Sequence, residues 1–354
     1  MKQTSIKYHN NFHKKTSIFF MKVLFVLGLS MPKIINAQDL HFSQFFNSPL
    51  STNPANTGFI PDADYRIGAH VRTQFSNIMV LPYKTISVFG DAQLFRDKFE
   101  NGWMGLGFLL LSDEAGEGVL KSTKLYGSLA YHQMLGNSSL LSAGFNLGWA
   151  NKSIKPNNLK FPDQFNGYFF DITLPTSVTF ANTQVNYFDL QAGINYAYFP
   201  KEDVYINAGY SIHHVNKPKE SFFSNPTTGN TIPIRHIGFA NAMLKLNKSL
   251  ILQPSLYYSN QASASQFVLG LSSRINLISG GETQLISGVY YRNKEAIIPL
   301  LGFEIKSIQF NFSYDATVSS LNAYNKSMGA GEISLIKKGF YPNTPYRQTL
   351  CPSF

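Results

Sequence analysis

The chain of 354 residues has few charged residues, a single cysteine and no long apolar run. Asp, Glu, Lys and Arg make up 14% of it, well below the roughly 25% of typical soluble domains. The lone Cys351 excludes an intrachain disulfide and a cysteine-based metal site. Because a transmembrane helix needs about 20 consecutive apolar residues, the sequence does not indicate a helical membrane protein.

Aromatic residues and glycine are abundant: the chain holds 30 Phe, 19 Tyr and 26 Gly. Low charge combined with many aromatic residues is typical of a membrane β-barrel. A soluble β-sandwich is the alternative, although sandwiches usually carry more charge on their outer faces. The formal charge of +10 does not indicate a nucleic-acid partner, because 1–37 hold six lysines and no acidic residue, and no basic stripe follows.

Residues 1–37 read as a secretory signal peptide, with Met21 as an alternative start. A short apolar run, Val23 to Met31, is followed by Pro32 and ends in Ala37 as the small residue of a cleavage site. The run is too short to span a bilayer. The mature chain is therefore predicted to begin at Gln38 and to leave the cytoplasm.

From Tyr65 onwards, apolar and polar residues alternate with a period of two. Ile67 and Val71 share one face of the first segment, while Arg66 and Arg72 share the other. Such alternation excludes amphipathic helices and predicts strands. About 14 segments of this kind fill 65–337, each long enough to cross a membrane as a tilted strand.

The sequence therefore predicts an all-β fold: a transmembrane antiparallel β-barrel of about 14 strands in the outer membrane. Polar alternates are predicted to face the lumen, among them Arg72, Asp91 and Asp315. Long connections at 152–185 and 215–234 contrast with tight turns elsewhere, an arrangement in which long loops lie outside the cell.

The segment 38–64 is predicted to be a plug or docking segment on the periplasmic side of the barrel. It is rich in Asn, Pro and Ser, yet carries large apolar residues that favour burial, and its two X-Pro steps favour an extended, turning path. The remaining residues, 338–354, form a predicted C-terminal tail. The candidate partner or plug residues are Phe42, Gln44, Phe45, Pro49, Asn53, Pro54 and Gly58.

Several motifs resemble one known family. They are FSQFFNSPLSTNPANTG at 42–58, SYDATVSSL at 313–321 and GAGEISL at 329–335. In these blocks the chain resembles the PorP/SprF-type outer-membrane proteins of the type IX secretion and gliding system of the Bacteroidota. The resemblance implies a barrel that supports export or cell-surface attachment of a secreted partner, such as a large adhesin-like protein, together with secretion-system components.

Two other functions stay open at this stage. An outer-membrane transport channel for an apolar or small solute, with 38–64 as its plug, fits the alternating pattern equally well. A secreted all-β binding module without bilayer contact is the third hypothesis. No catalytic residue, cofactor site or metal site is predicted, and the chain is not expected to be an enzyme.

Three groups of residues are candidate sites. His213 and His214 are adjacent, so on one strand they would point to opposite faces and could not share a metal. The acidic cluster Asp113, Glu114 and Glu117 favours a solvated turn over a calcium site. Lumen-facing arginines are expected to pair internally with acidic residues rather than to bind a substrate; the arginines are Arg66, Arg72, Arg235, Arg274 and Arg292, and the acidic candidates Asp91, Asp189, Glu304 and Asp315.

Overall fold

The structure, a computed structural model, describes residues 39–342 except 97, 117–119, 224–229 and 279–282. The predicted signal peptide 1–37 lies outside the described residues, as do 343–354 of the predicted tail and Glu117 of the acidic cluster. The strands are β1 Tyr65–Gln74, β2 Tyr83–Leu94, β3 Gly102–Ala115, β4 Leu120–Met134, β5 Ser139–Ser153, β6 Gln184–Lys201, β7 Val204–His213, β8 Arg235–Lys245, β9 Leu250–Gln261, β10 Ala264–Asn276, β11 Thr283–Arg292, β12 Ala296–Ile305, β13 Ile308–Thr317 and β14 Met328–Gly339.

The strands form one closed antiparallel barrel. Each pairs with its neighbours in sequence, and β1 closes the sheet against β14, with Tyr65 opposite Gly339 and Gln74 opposite Ala330. Closure leaves no unpaired edge, which a sheet in hydrocarbon could not tolerate. In the described ranges no helix is both long and apolar enough to cross a membrane. The predicted fold class is confirmed.

Burial along the strands is the reverse of a soluble protein. Ile67 and Leu147 point outwards and are 53% and 54% exposed, whereas inward His70, Ser87 and Asn146 are almost fully buried. A bilayer around the barrel accounts for both observations, because the apolar residues then contact lipid while the polar residues meet one another inside.

The two ends of the barrel differ. The end that we call the loop end carries the connections 75–82, 154–183, 214–234 and 318–327. The opposite turn end carries short connections such as 135–138, 202–203 and 306–307, as well as the start of β1 and the end of β14. By the rule for bacterial barrels, the loop end faces outwards and the turn end faces the periplasm.

Short helical turns occur inside the barrel and in its connections. Three lie before β1, at Phe45–Asn47, Pro49–Thr52 and Pro54–Asn56, and the others within the described ranges are Pro156–Asn158, Pro162–Gln164 and Asn322–Asn325. The last strand runs two residues beyond 337, the predicted end of the barrel, because Lys338 and Gly339 continue the ladder with β1.

Candidate functional site in the barrel lumen

Residues 39–64, which we call the plug, run through the lumen from the loop end to the turn end. Asp39 lies at the loop end beside Lys124 and His214. At the other end the Asp64 N–H donates to Gly339 O at 2.9 Å, just before β1 begins. The segment therefore spans the lumen, which differs from its predicted position on the periplasmic side.

Proline and asparagine shape the plug locally. Pro49 and Pro54 each occupy the first residue of a short helical turn, where the missing N–H costs nothing and the fixed φ favours the turn. The Asn53 side chain caps the third turn by accepting from Ala55 N at 2.9 Å. Its amide also donates to Ile194 O on β6 at 2.8 Å, so one residue both shapes the plug and attaches it to the wall.

Aromatic side chains of the plug pack against the wall. The Phe45 ring lies 5.0 Å from the Tyr257 ring, and Phe46 stacks on Tyr290 at 5.0 Å. Phe42 lies 5.2 Å from His70. Each of the three apolar clusters in the lumen includes a plug residue, so the plug supplies the core that the hollow barrel lacks. Burial of each large apolar side chain contributes about 1.5–3 kcal/mol.

An arginine–carboxylate cluster near the loop end holds the first turn of the plug. Arg72 contacts Asp315 at 2.8 Å and Glu332 at 3.2 Å, and Arg292 contacts Asp315 at 2.9 Å. Ser43 inserts between them: its Oγ donates to Asp315 Oδ1 at 2.7 Å, and its N–H donates to Glu332 Oε2 at 2.8 Å. The plug thus completes the hydrogen bonding of buried charges, which is the condition under which such charges are tolerated.

Gln44 extends this contact, because its N–H donates to Glu332 Oε1 at 3.0 Å and its amide donates to Ser313 Oγ at 3.0 Å. At the other end of the plug, the Gly58 N–H donates to Asp91 Oδ2 at 2.8 Å. Asp91 also binds Arg66 at 2.7 Å. The predicted lumen residues Arg72, Asp91 and Asp315 therefore all lie inside the barrel, where each contacts the plug.

The other acidic and basic residues of the lumen are also largely paired with each other. Arg274 binds Glu304 at 2.7 Å. Two residues have partners other than the expected ones. Arg235 donates to Leu40 O in the plug at 2.9 Å. Asp189 pairs with His214 at 2.8 Å rather than with an arginine. Asp39 of the plug lies close enough to Arg235 to interact with it electrostatically, which sequence alone could not show.

The two adjacent histidines both face inwards, contrary to the sequence expectation. β7 ends at His213, and His214 then adopts a left-handed backbone with φ 58°. His213 already faces inwards on β7, and this change of direction buries the imidazole of His214 as well. Among the described residues, no group of three or more His, Cys, Asp or Glu could hold a metal. Asp113 and Glu114 lie on β3 itself rather than in a turn.

His214 bridges two carboxylates at the loop end. Its Nδ1 lies 2.8 Å from Asp189 Oδ1, and its Nε2 lies 3.2 Å from Asp39 Oδ2. Burial alone would lower the pKa of His214, but the hydrogen bonds to Asp189 and Asp39 outweigh it and raise the pKa. Burial would raise the pKa of Asp39, yet the charges of Lys124 and His214 hold it well below the usual range. We call these four residues the Asp39 cluster.

Inward-facing glycines, which are not among the residues predicted from the sequence, let the plug backbone approach the wall. A Cβ at Gly105 would lie 1.8 Å from Thr57 O, and one at Gly144 would lie 2.6 Å from Pro54 O. A Cβ at Gly193 would lie 1.9 Å from the Asn53 side-chain oxygen. The sequence indicates this approach by glycines at lumen-facing positions of β3, β5 and β6. Glycine weakens a strand, so inside one it often marks a place where another backbone approaches closely.

The plug leaves one side of the lumen open towards the turn end. A cavity of about 220 Å³ lies between the plug and the wall built from β7 to β11, and we call it the vestibule. Phe46 and Phe59 of the plug line it, opposite Asn241 and Gln253 of the wall.

The long loops at the other end present apolar side chains to solvent. Tyr168 is 92% exposed, and Phe169 and Ile172 are each 61% exposed. The two longest loops are joined by the Ala181 N–H, which donates to Phe222 O at 2.9 Å. A Lys152–Glu220 ion pair connects the second of these loops to β5. We call Tyr168, Phe169 and Ile172 the loop patch.

Taken together, the closed barrel, the lipid-facing apolar surface and the filled lumen define a plugged β-barrel of the outer membrane. The chain belongs to the PorP/SprF family: the model of that family, described as "Type IX secretion system membrane protein PorP/SprF", matches 34–336. The resemblance drawn from the sequence motifs is thereby confirmed, and so is the outer-membrane location.

Solved structures of outer-membrane channels have a similar fold. The P. putida toluene transporter TodX has a TM-score of 0.50 and 11% identity, with 84% of this chain and 95% of that chain covered. CymD, a monoaromatic hydrocarbon channel, has a TM-score of 0.50 and 10% identity, covering 83% and 93%. At such identities the likeness concerns the fold alone. No curated protein sequence matches the chain.

Proposed function

We propose that this barrel supports the export or cell-surface attachment of a secreted, adhesin-like partner by binding it, rather than by conducting it. The observation that carries this proposal is the plug. It is attached at both ends and along its length, through the Asp39 cluster, the arginine–carboxylate cluster and the Asp91 contact with Gly58. A polypeptide could pass only if most of these contacts were broken.

The surface available for a partner outside the cell is then the loop end. The loop patch exposes aromatic and aliphatic side chains on a loop that hydrogen bonds fold upon itself. Asp163 accepts from Ser177 N at 2.6 Å, and Asp171 accepts from Thr173 N at 3.0 Å. Exposed aromatic side chains on a preorganised loop are typical of protein-binding surfaces, because little conformational entropy is lost on binding.

The test is complementation of a strain that lacks the gene. The strain would receive the wild-type gene, a Tyr168→Ser/Phe169→Ser variant, or a Lys160→Ser control that alters an exposed residue of the same loop. Surface proteins would be released by brief protease treatment of whole cells and identified by mass spectrometry. The proposal expects a surface protein that is lost without the gene, restored by the wild type and control, and reduced at least tenfold by the loop variant. An unchanged set of surface proteins in the deletion strain would refute it.

A second candidate function is that of a plugged channel for an apolar or small solute. The vestibule supports this candidate, because Phe46, Phe59 and Tyr290 give its lining an aromatic character. Purified protein in liposomes would decide: solute-selective uptake without any protein partner favours the channel, and its absence disfavours it.

A further inference from the structure

The vestibule contains side-chain amides that no described residue satisfies. Asn207 on β7 and Asn241 on β8 lie directly opposite each other in the ladder, and both line the cavity. Neither side chain forms a hydrogen bond within the described ranges, and the Asn241 Oδ1 atom is buried without a partner there. Amides inside a protein normally have partners, so these two indicate a position for a ligand.

A third amide lies on the next strand, at Gln253 of β9. Its Oε1 accepts from Arg274 Nε at 3.2 Å, which leaves Nε2 as the end without a partner among the described residues. The amides of Asn207 and Asn241 are not fixed in this way, so each can turn to present its oxygen or its amino group. Because neighbouring strands lie about 4.8 Å apart, the three amides are spread over about 10 Å. The lining can therefore both donate and accept at several positions.

Aromatic rings form the apolar part of the lining. Phe46 of the plug stacks on Tyr290 at 5.0 Å. Tyr290 in turn lies against Gly270, where a Cβ would be only 2.0 Å from its ring. The Phe239 ring lies against Gly209 in the same manner, at 2.6 Å. Each ring is thus supported on one side, and Phe46 and Phe239 line the cavity with the surface that remains.

The charged side chains of the lining are already neutralised. Arg66 binds Asp91 at 2.7 Å, and Arg274 binds Glu304 at 2.7 Å. Among the described residues that line the cavity, none is acidic. A charged ligand would lose its hydration without gaining an unpaired countercharge, so the lining favours a neutral ligand.

The vestibule is accessible from the turn end and has room for a small molecule. Along β8 the inward residues Ile237 and Phe239 are buried, whereas Asn241 and Met243, nearer the turn end, are only half-buried. The cavity of about 220 Å³ equals the liquid volume of about seven water molecules. This space accommodates a single six-membered ring with its substituents.

A sugar ring combines the properties that this lining complements. It is neutral, each of its hydroxyl groups both donates and accepts, and its C–H groups form an apolar face that packs against an aromatic ring. A purely apolar solute would fill the same space but would leave the three amides without partners, which is costly.

We propose that the vestibule binds one neutral pyranose ring, which enters from the turn end. The amides of Asn207, Asn241 and Gln253 form hydrogen bonds with its hydroxyl groups, and its C–H face packs against Phe46 and Phe239. Binding here requires neither a partner at the loop end nor passage of the ligand through the barrel. The inference therefore goes beyond both functions proposed above, and its failure would leave them untouched.

Direct binding to the purified full-length protein tests the proposal. The probes are the methyl glycosides of glucose, galactose, mannose and N-acetylglucosamine, compared with toluene and N-acetylglycinamide. An amine-oxide detergent is used because the headgroup of a glycoside detergent would compete. Saturation-transfer NMR titrations give the affinity of each probe for the wild type, for Asn207→Leu/Asn241→Leu, and for the control Asn293→Leu, which alters an exposed asparagine at the loop end.

The proposal expects saturable binding of at least one glycoside, unchanged in the control and weakened about tenfold or more in the double variant, because two amides that bond the ring are lost. It is overturned if no glycoside binds saturably, or if the double variant binds the glycosides as tightly as the wild type. Tighter binding of toluene or N-acetylglycinamide than of every glycoside would assign the cavity to an apolar or peptide ligand and would also overturn it.

A second measurement leaves all three amides intact. In a Cys351→Ser background, maleimide labels Ser255→Cys in the vestibule or, as the control, Gln74→Cys at the loop end. The tightest-binding glycoside, added at about ten times its Kd, occupies roughly nine-tenths of the sites and should slow labelling at position 255 about tenfold. Labelling at position 74 should not change. Equal rates at position 255 with and without the glycoside, or equal slowing at both positions, would exclude the vestibule as the binding site.

Discussion

The replacement of Gly105 by alanine tests whether close backbone approach holds the plug. The new Cβ would lie 1.8 Å from Thr57 O and 3.0 Å from the Gly58 Cα. Ordinary van der Waals contact requires the plug backbone to retreat by about 1.5 Å at this point. Strand β3 cannot retreat instead, because it is bonded to β2 and β4 along its whole length.

Such a retreat would break three hydrogen bonds. Thr57 O lies 2.8 Å from His132 Nε2, and Gly58 O accepts from Trp103 Nε1 at 2.9 Å. The third is the 2.8 Å bond from Gly58 N to the Asp91 carboxylate. With about 1 kcal/mol for each neutral bond and about 2 kcal/mol for the charged one, the plug loses roughly 4 kcal/mol of binding free energy. This loss corresponds to about a thousandfold change in the equilibrium between bound and released plug.

A thiol at position 57 can report that equilibrium. The Thr57 side chain is fully buried and its hydroxyl has no partner among the described residues, so Thr57→Cys costs little. In a Cys351→Ser background, we expect Gly105→Ala to speed maleimide labelling of this cysteine by a hundredfold to a thousandfold, an estimate that follows from the free energy above. Gly127→Ala is the control, since a Cβ there meets nothing within 4 Å. Equal labelling of the two variants would refute the account of the glycines.

Three further predictions use the same protein. Asp315→Asn leaves both arginines of the cluster without their shared carboxylate and should lower the free energy of unfolding by about 3–5 kcal/mol. Thermal unfolding in detergent should then occur at a lower temperature. An unchanged unfolding temperature would contradict the assigned contacts. Because the pKa of His214 is raised in the folded state, its contribution to stability is complete below about pH 6.5 and is lost as pH rises through the raised pKa. The unfolding temperature should therefore fall as the pH rises above 6.5, and His214→Gln should make it less dependent on pH. An equally steep dependence on pH in that variant would exclude His214 as its source. Trp103→Phe removes the indole bond to Gly58 and should speed labelling of the thiol at position 57 roughly fivefold, the effect of about 1 kcal/mol, whereas the lipid-facing Trp149→Phe should not.

The alternation along the strands also carries information about the lumen. The phase of the alternation assigned Arg72, Asp91 and Asp315 to the inside, and the structure places all three there. It could not assign their partners, because residues such as Ser43 and Glu332 are 289 positions apart and meet only when the barrel closes around the plug. His214 shows the same limit: its strand ends one residue earlier, and a left-handed φ then turns the side chain inwards.

The barrel follows from the sequence alone. A period of two, apolar residues on one phase and polar residues on the other are local properties, and hydrocarbon outside a closed sheet requires that pattern on every strand. How the lumen is filled depends on the three-dimensional structure. Whether a polar, proline-rich segment crosses the barrel or seals one end depends on long-range complementarity, namely glycines that admit its backbone, carboxylates that accept its N–H groups and aromatic rings that receive its phenylalanines. Those contacts are formed by residues far apart in the chain, so no local pattern encodes them.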